Sequence, residues 1–308
     1  MAKIISLGIS ARKDSILELI FSGNGSNLEA LLQNPNFSTP LWLIVWDPNI
    51  MNAVINSSTA MNAVANSSTA MNAVINSSTA MNAVINSSTA MNAVANSSTA
   101  MNAVANSSTA MDAVINSSTA MNAVANSSTA MNAVINSQTA LDAIRNNTTA
   151  WNTFINSTIN VKEVPTMTSN TTPEGVASAS SISSSGTDAF YAFDKNTGTY
   201  WRAGGTAPQW IQYQFVSPVF VHTITLAGNS GSGNNFNPAS ITIQASNDGS
   251  TFTDIQTFNQ EFTSTATTLY IAKQGYYRYW RVRVNSTVNS SYTPIIRELN
   301  FTGFIQPT

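Results

Sequence analysis

The chain is 308 residues long, sets 12 Lys and Arg against 14 Asp and Glu, and carries a formal net charge of −2 at pH 7. Only 8% of its residues are charged, so there is no basic face for phosphate, which argues against nucleic acid as a partner. Zero cysteines exclude disulfides and thiolate metal sites, and without an apolar run of about eighteen residues no membrane-inserted helix is expected.

Residues 1–50 read as a small N-terminal head. Its opening apolar stretch is interrupted by Arg12, Lys13 and Asp14, so a secretory signal is not expected. Asp14-Ser15 ahead of Ile16, Leu17, Leu19 and Ile20 predicts a short capped helix that stops at Gly23-Asn24-Gly25. Ser26 with Glu29 three residues later predicts a second helix, ending before Asn34-Pro35. Leu41 to Trp46 is a strand candidate closed by Asp47-Pro48. A segment this short with so much Ile, Leu and Trp is expected to attach or oligomerise, either by docking onto a larger body or by packing Trp42 and Trp46 among chains at the near end of a rod.

Residues 51–160 form a repeat. From Met51 to Ala140 the phrase Met-Asn-Ala-Val-(Ile/Ala)-Asn-Ser-Ser-Thr-Ala recurs, and two looser copies run from Leu141 to Ala150 and from Trp151 to Asn160. Each unit is too short to enclose a core, so its apolar side chains are expected to leave water only against neighbouring units or other copies of the chain. A continuous α-helix, at about 100° per residue, puts Met51, Val54, Ile55 and Ser58 on one face and Asn52, Asn56 and Ala60 elsewhere. That pattern fits a coiled coil shortened by a stammer, in a rod of roughly 165 Å. A β-fibre is the alternative, with Met51, Ala53, Ile55, Ser57 and Thr59 on one side, although no Gly or Pro is present to make corners.

Asp112 is the only charge between Met51 and Ala140, so nothing on the flanks selects a foreign strand, and an in-register homotrimer is the expected assembly. The Asn56-Ser57-Ser58 sequon returns with the repeat and is a by-product of it.

Residues 161–172 are polar, contain Pro165 and read as a linker. From residue 173 to 308 the composition changes. Gln209–Phe215, Val219–Leu226, Ser240–Gln244, Tyr279–Val284 and Ile295–Phe301 alternate with period two between turn signals, which predicts an all-β sandwich. The chain as a whole is thus expected to be multidomain and fibrous.

Five motifs stand in a fixed order in this last region: Ala189–Trp201, Gln209–Tyr213, Ala245–Phe252, Arg278–Arg283 and Ile296–Phe301. In that order they resemble the discoidin, or coagulation-factor C-type, family, which implies a galactose-binding-like jelly roll over about residues 173–303. The resemblance implies a structural Ca²⁺ in the Asp-x-Asn-x-x-Thr loop, held by Asp194, Asn196, Thr199 and Glu298, with carbonyls of Tyr191, Asn196, Thr199 and Arg297 completing the shell. Oxygen donors of this kind suit Ca²⁺. Lys195 stands where the family commonly has Gly, and an ion-free Asx-turn is the other reading of the same residues.

Relatives that bind galactose tend to place a His after the Trp of the Thr-x-Trp motif and an Arg after the following strand. Here Arg202 follows Trp201 and the segment Gly228–Phe236 has no Arg, so galactose specificity does not transfer. The sugar-site candidates are Arg202, Asn234, Asn235, Phe236, Tyr276 and Tyr277; amides and guanidinium pair with hydroxyls, and an aromatic face stacks on a pyranose. Turn formation at Asn234-Asn235 and edge packing at Tyr276-Tyr277 are the structural alternatives. Trp201, Trp210 and Trp280 are expected in the core, His222 is expected to be structural, and Arg281 and Arg283 are expected to lie over aromatic surface or to form an anion site.

No catalytic constellation is found, so an enzyme is not expected. The order of head, rod and lectin-like tip resembles a bacteriophage tail or head fibre. That likeness implies a virion protein made in the host cytoplasm, bound to the particle through the head and to a host-surface glycan through residues 173–308. A bacterial cell-surface adhesin or extracellular filament subunit is the alternative.

Overall fold

The computed structural model describes residues 47–230, 234–271 and 275–306; the helix and strand candidates of the head, in residues 1–46, lie outside them. The chain divides into two units, up to Ile159 and from Asn160.

In the first unit every decapeptide makes one short helix, so the rod is built from separate helices. Those described are α1 (Pro48–Ile55), α2 (Ser58–Ala65), α3 (Ser68–Ile75), α4 (Ser78–Ile85), α5 (Ser88–Ala95), α6 (Ser98–Ala105), α7 (Ser108–Ile115), α8 (Ser118–Ala125), α9 (Ser128–Ile135), α10 (Gln138–Asn146) and α11 (Thr148–Ile155). The Asn-Ser pair at positions six and seven of the repeat, Asn146-Asn147 in one copy, cuts the chain each time. Ser57 is extended (φ −108°, ψ 111°), and its Oγ accepts the Ala60 amide at 3.2 Å, while the Asn56 side-chain amide donates to the Asn52 carbonyl at 2.9 Å. These short polar side chains satisfy the helix ends better than they tolerate a helix interior. The single continuous helix of a coiled coil, and with it the β-fibre alternative, is therefore replaced by a helical repeat.

Each helix packs on the third one after it, in all eight such pairs from α1 on α4 to α8 on α11. Three helices, or thirty residues, thus make one coil of an α-solenoid. Successive coils are stapled by the capping serines: the hydroxyls of Ser97, Ser127 and Ser137 donate to the carbonyls of Ala65, Ala95 and Ala105 at 2.7, 2.6 and 2.6 Å. With packed helices about 9 Å apart, the eleven helices climb on the order of 35 Å, far short of the length of a continuous helix.

The core face is also different from the expected seam. Ala60, Met61, Val64 and Ala65 are all buried to 1% exposure or less, whereas Ser58 is exposed. Ala60, placed off the seam by the continuous-helix reading, faces the interior because each helix restarts at position eight and presents positions ten, one, four and five together. No repeat methionine exceeds 4% exposure within a single chain. The premise that partner strands are needed to dry the repeats fails, since stacking on the next coil does it, and the homotrimer loses the reason that called for it. In α11 the repeat's Met and Val become Trp151 and Phe154, whose rings stack 6.1 Å apart and fill the end of the series with bulkier side chains.

The second unit is the expected all-β sandwich. Its strands are β1 (Val161–Glu163), β2 (Val176–Ala179), β3 (Trp201–Arg202), β4 (Gln209–Ala227), β5 (Pro238–Ser246), β6 (Thr253–Phe258), β7 (Thr267–Tyr270), β8 (Tyr277–Thr287), β9 (Ile295–Ile296) and β10 (Glu298–Ile305). β4 runs through both layers: Gln209–Gln214 pairs with β2 and β8, and after a register shift Val219–Ala227 pairs with β10 and β7. β5 and β6 extend the first layer, β1 the second, and β3 pairs with β9 apart from both. Ile211, Tyr213, Ile243, Trp280 and Val282 from one layer share a core with Val221, Ile224, Leu226, Leu299 and Phe301 from the other.

The segment 161–172 is not a free linker. Residues 161–163 pair with β10 in register with 302–304, and Val164 and Met167 are buried at 2% and 1% exposure, so the polar stretch carries its own apolar anchors into the sandwich.

Candidate functional site

The Asp194 loop folds on itself. Asp194 accepts the Asn196 amide at 2.9 Å on Oδ1 and the Thr199 hydroxyl at 2.7 Å on Oδ2, and Asn196 Oδ1 accepts the Gly198 amide at 3.0 Å. The Asn196 carbonyl accepts the Thr199 amide at 3.0 Å and lies 2.8 Å from the Thr199 hydroxyl, whose one proton it shares with Asp194 Oδ2. Lys195 takes the left-handed conformation (φ 55°), which Gly adopts with less strain.

Glu298, at the start of β10, returns to this loop. Burial, and then the Asp194 charge, push its carboxyl up to about 7, and its Oε1 is buried without a hydrogen-bond partner among the described residues. A raised carboxyl beside Asp194 with an orphaned oxygen suits a hard cation, and the remaining donors are oxygens. Among the described residues no three His, Cys, Asp or Glu side chains gather, so a bound ion here relies on Asp194 and Glu298 plus neutral oxygens. The residues fit Ca²⁺; the Asx-turn bonds of the alternative reading are also made, and they occupy only part of the carboxylate's acceptor capacity.

The sugar-site candidates split into two groups. Arg202, carried by β3 directly after the Asp194 loop, lies 5.0 Å from the Phe236 ring centroid and donates through Nε to Thr293 Oγ1 at 2.9 Å. Tyr292 meets Phe236 edge-on, with centroids 4.7 Å apart and an interplanar angle of 83°. Asn234–Phe236 forms a 3-10 turn, and the Asn289 amide donates to the Asn235 carbonyl at 3.2 Å, which ties this turn to the loop after β8. Asn234 is exposed, and Asn235, Phe236, Arg202, Tyr292 and Thr293 are half-buried.

Tyr276 and Tyr277 are elsewhere. They stand at the start of β8, whose 11 residues span on the order of 33 Å, while the Asn235 turn joins the loop beyond its far end. Tyr276 is buried edge-on to Phe220, and Tyr277 packs edge-on to Trp280, so both serve the sandwich.

Sequence reasoning missed Tyr292 and Thr293, which sit just before β9, the strand that pairs with Arg202. It also missed Asn237. Fully buried, Asn237 accepts the Asn229 amide at 2.8 Å, donates through Nδ2 to Glu261 at 3.1 Å and through its backbone amide to the Asn234 carbonyl at 2.9 Å, and so fixes the turn that presents Phe236.

His222 is buried at 2% exposure against Phe304; its Nδ1 lies 2.8 Å from Thr223 Oγ1, its Nε2 has no partner among the described residues, and burial lowers its pKa to about 4. Trp201 and Trp280 are fully buried, but Trp210 is only half-buried, because it lies on the outer sheet face under Arg281. The Arg281 guanidinium is sandwiched 3.9 Å from the Trp210 centroid and 3.5 Å from that of Phe252, and bonds Gln212 Oε1 at 2.9 and 3.2 Å, which leaves it as packing and not as an anion site.

Residues 176–299 match the model of the F5/8 type C domain, so the C-terminal unit carries this domain. No curated protein matches the chain. Similar solved structures include a Clostridium perfringens module, CpGH89CBM32-5, in complex with GalNAc-β-1,3-galactose, 21% identical over 41% of this chain and 94% of the module, with a TM-score of 0.38. The family 32 CBM of C. perfringens NanJ, in complex with galactose, is 22% identical over 46% of this chain and 98% of its own, with a TM-score of 0.39. Chitosan-binding module 1 from a chitosanase/glucanase of Paenibacillus sp. IK-5 is 26% identical over 41% and 93%, with a TM-score of 0.36.

Proposed function

We propose that the protein is an attachment protein: an F5/8 type C domain that binds a surface glycan, joined through a helical-repeat spacer to an anchoring head. The observation that carries this reading is the grouping of Arg202, Phe236 and Tyr292 with the Asn234-Asn235 turn. A guanidinium, amides and hydroxyls around aromatic rings suit a pyranose, whose hydroxyls need oriented partners and whose apolar face needs a flat one. Ca²⁺ at Asp194 and Glu298 has a structural role in this reading.

The setting we propose is a bacteriophage tail or head fibre, made in the host cytoplasm and carried on the virion. Its support is the order of head, spacer and binding domain along the chain. The task is binding without catalysis.

A glycan array probed with the full chain tests the first step: binding that Phe236→Ala abolishes supports the site, and binding that ignores Phe236 refutes it. Antibody labelling of particles against cells tests the setting, since label on cell surfaces alone replaces the virion fibre with an adhesin. Shortened products after incubation with host polysaccharide overturn the non-catalytic reading.

A further inference from the structure

Arg202 narrows the ligand class. Resting on the glycan reading above, we propose that the loop-end site takes a sugar that bears a carboxylate, a uronic or sialic acid, and that Arg202 selects it.

The guanidinium has two contacts: its Nε donates to Thr293 Oγ1 at 2.9 Å, and its carbon lies 5.0 Å over the Phe236 ring centroid. These two contacts restrict the side chain before any ligand arrives. Among the described residues its other N–H groups have no hydrogen-bond partner and no carboxylate pairs with it. The acid bonded into this cluster, Glu261, is engaged by Asn237 instead. A half-buried guanidinium with a pre-oriented free edge matches a carboxylate through two parallel bonds, a geometry neutral hydroxyls fill less strongly.

The remaining polar groups of the site, Asn234, Asn235, Tyr292 and Thr293, are uncharged, so they hold ring hydroxyls equally well whether or not the sugar is an acid. Discrimination thus falls on Arg202. The chain makes such a cation conspicuous, with only 12 Lys and Arg in 308 residues.

The test is an NMR titration of the full chain with galacturonate, glucuronate and N-acetylneuraminate, each beside its own methyl ester, at low salt. At least one acid is expected to bind about tenfold more tightly than its ester, as charge-assisted bonds do relative to neutral ones. Arg202→Gln is expected to bring the acid-to-ester affinity ratio down to about one, whatever it does to the ester itself. Because the acid-to-ester comparison is made on the unaltered protein, it stands even if the variant folds poorly. Esters that bind as tightly as their acids overturn the carboxylate preference and leave a glycan site for neutral sugars. No binding of these acids or of any neutral glycan on the array sinks the glycan reading together with it.

Discussion

The Ser97 hydroxyl donates to the Ala65 carbonyl at 2.7 Å while its oxygen accepts the Ala100 amide at 3.3 Å. One side chain thereby closes the start of α6 and the end of α2, one coil below it. Ser127 and Ser137 likewise both start a helix and register a coil, which is how a phrase of ten residues can specify a repeat of thirty.

Ser97→Ala is expected to cost about 2 kcal/mol, roughly half from the lost cap and half from the buried carbonyl left without its donor. Ser107 caps α7 through the Ala110 amide but, among the described residues, makes no bond to the coil below, so Ser107→Ala should cost about 1 kcal/mol. Urea unfolding of the two variants compares them directly; equal losses would show that the inter-coil bond contributes nothing.

At position five of the repeat, two columns are uniform over their first three coils. Ile55, Ile85 and Ile115 stack in one column, while Ala65, Ala95 and Ala125 stack in another, the latter at 0, 1 and 5% exposure. Ala95→Ile forces three extra carbons into the small column and should destabilise by about 1–3 kcal/mol. Ala95→Ser, which changes little volume, should cost less than the isoleucine if crowding is the cause. Thermal melts followed by circular dichroism decide the order.

His222 makes stability fall in mild acid. Its pKa is about 4 in the fold against an ordinary 6.5, because burial penalises the imidazolium. The unfolded chain therefore binds the extra proton first, and stability that is full above pH 6.5 is lost as the pH drops toward 4, by on the order of 3 kcal/mol. Glu298, with its pKa raised, works in the opposite direction, so the effect is read as a difference between proteins. The gap in unfolding free energy between the native protein and His222→Leu should shrink from pH 7 to pH 4; a gap independent of pH would refute the assignment.

Ca²⁺ should raise the melting temperature of the full chain, and a chelator should reverse the rise. Glu298→Gln removes one of two carboxylates and should abolish the response, whereas Glu163→Gln, at the loop's edge where Glu163 lies 3.9 Å from Lys195, should retain it. A midpoint that ignores calcium in the native protein returns the Asp194 loop to a plain Asx-turn.

Local chemistry was legible from the order of residues alone. Asp194, Asn196 and Thr199 lie within six residues and fold on one another, and the period-two runs from Gln209 to Phe301 became strands, because turn bonds and strand alternation depend on near neighbours. The decapeptide likewise announced a repeat.

Only the fold decided what lies between distant residues. Whether Asn-Ser bends or cuts a helix depends on what the freed carbonyl meets 32 residues away, so a coiled coil and a solenoid begin from the same phrase. Arg202 found Phe236 and Thr293, and not Tyr276 and Tyr277, because the pairing of β3 with β9 and the length of β8 set those neighbours. Side-chain periodicity gives the face a residue takes; which other face it meets is a matter of strand and coil register, settled by packing the whole core at once.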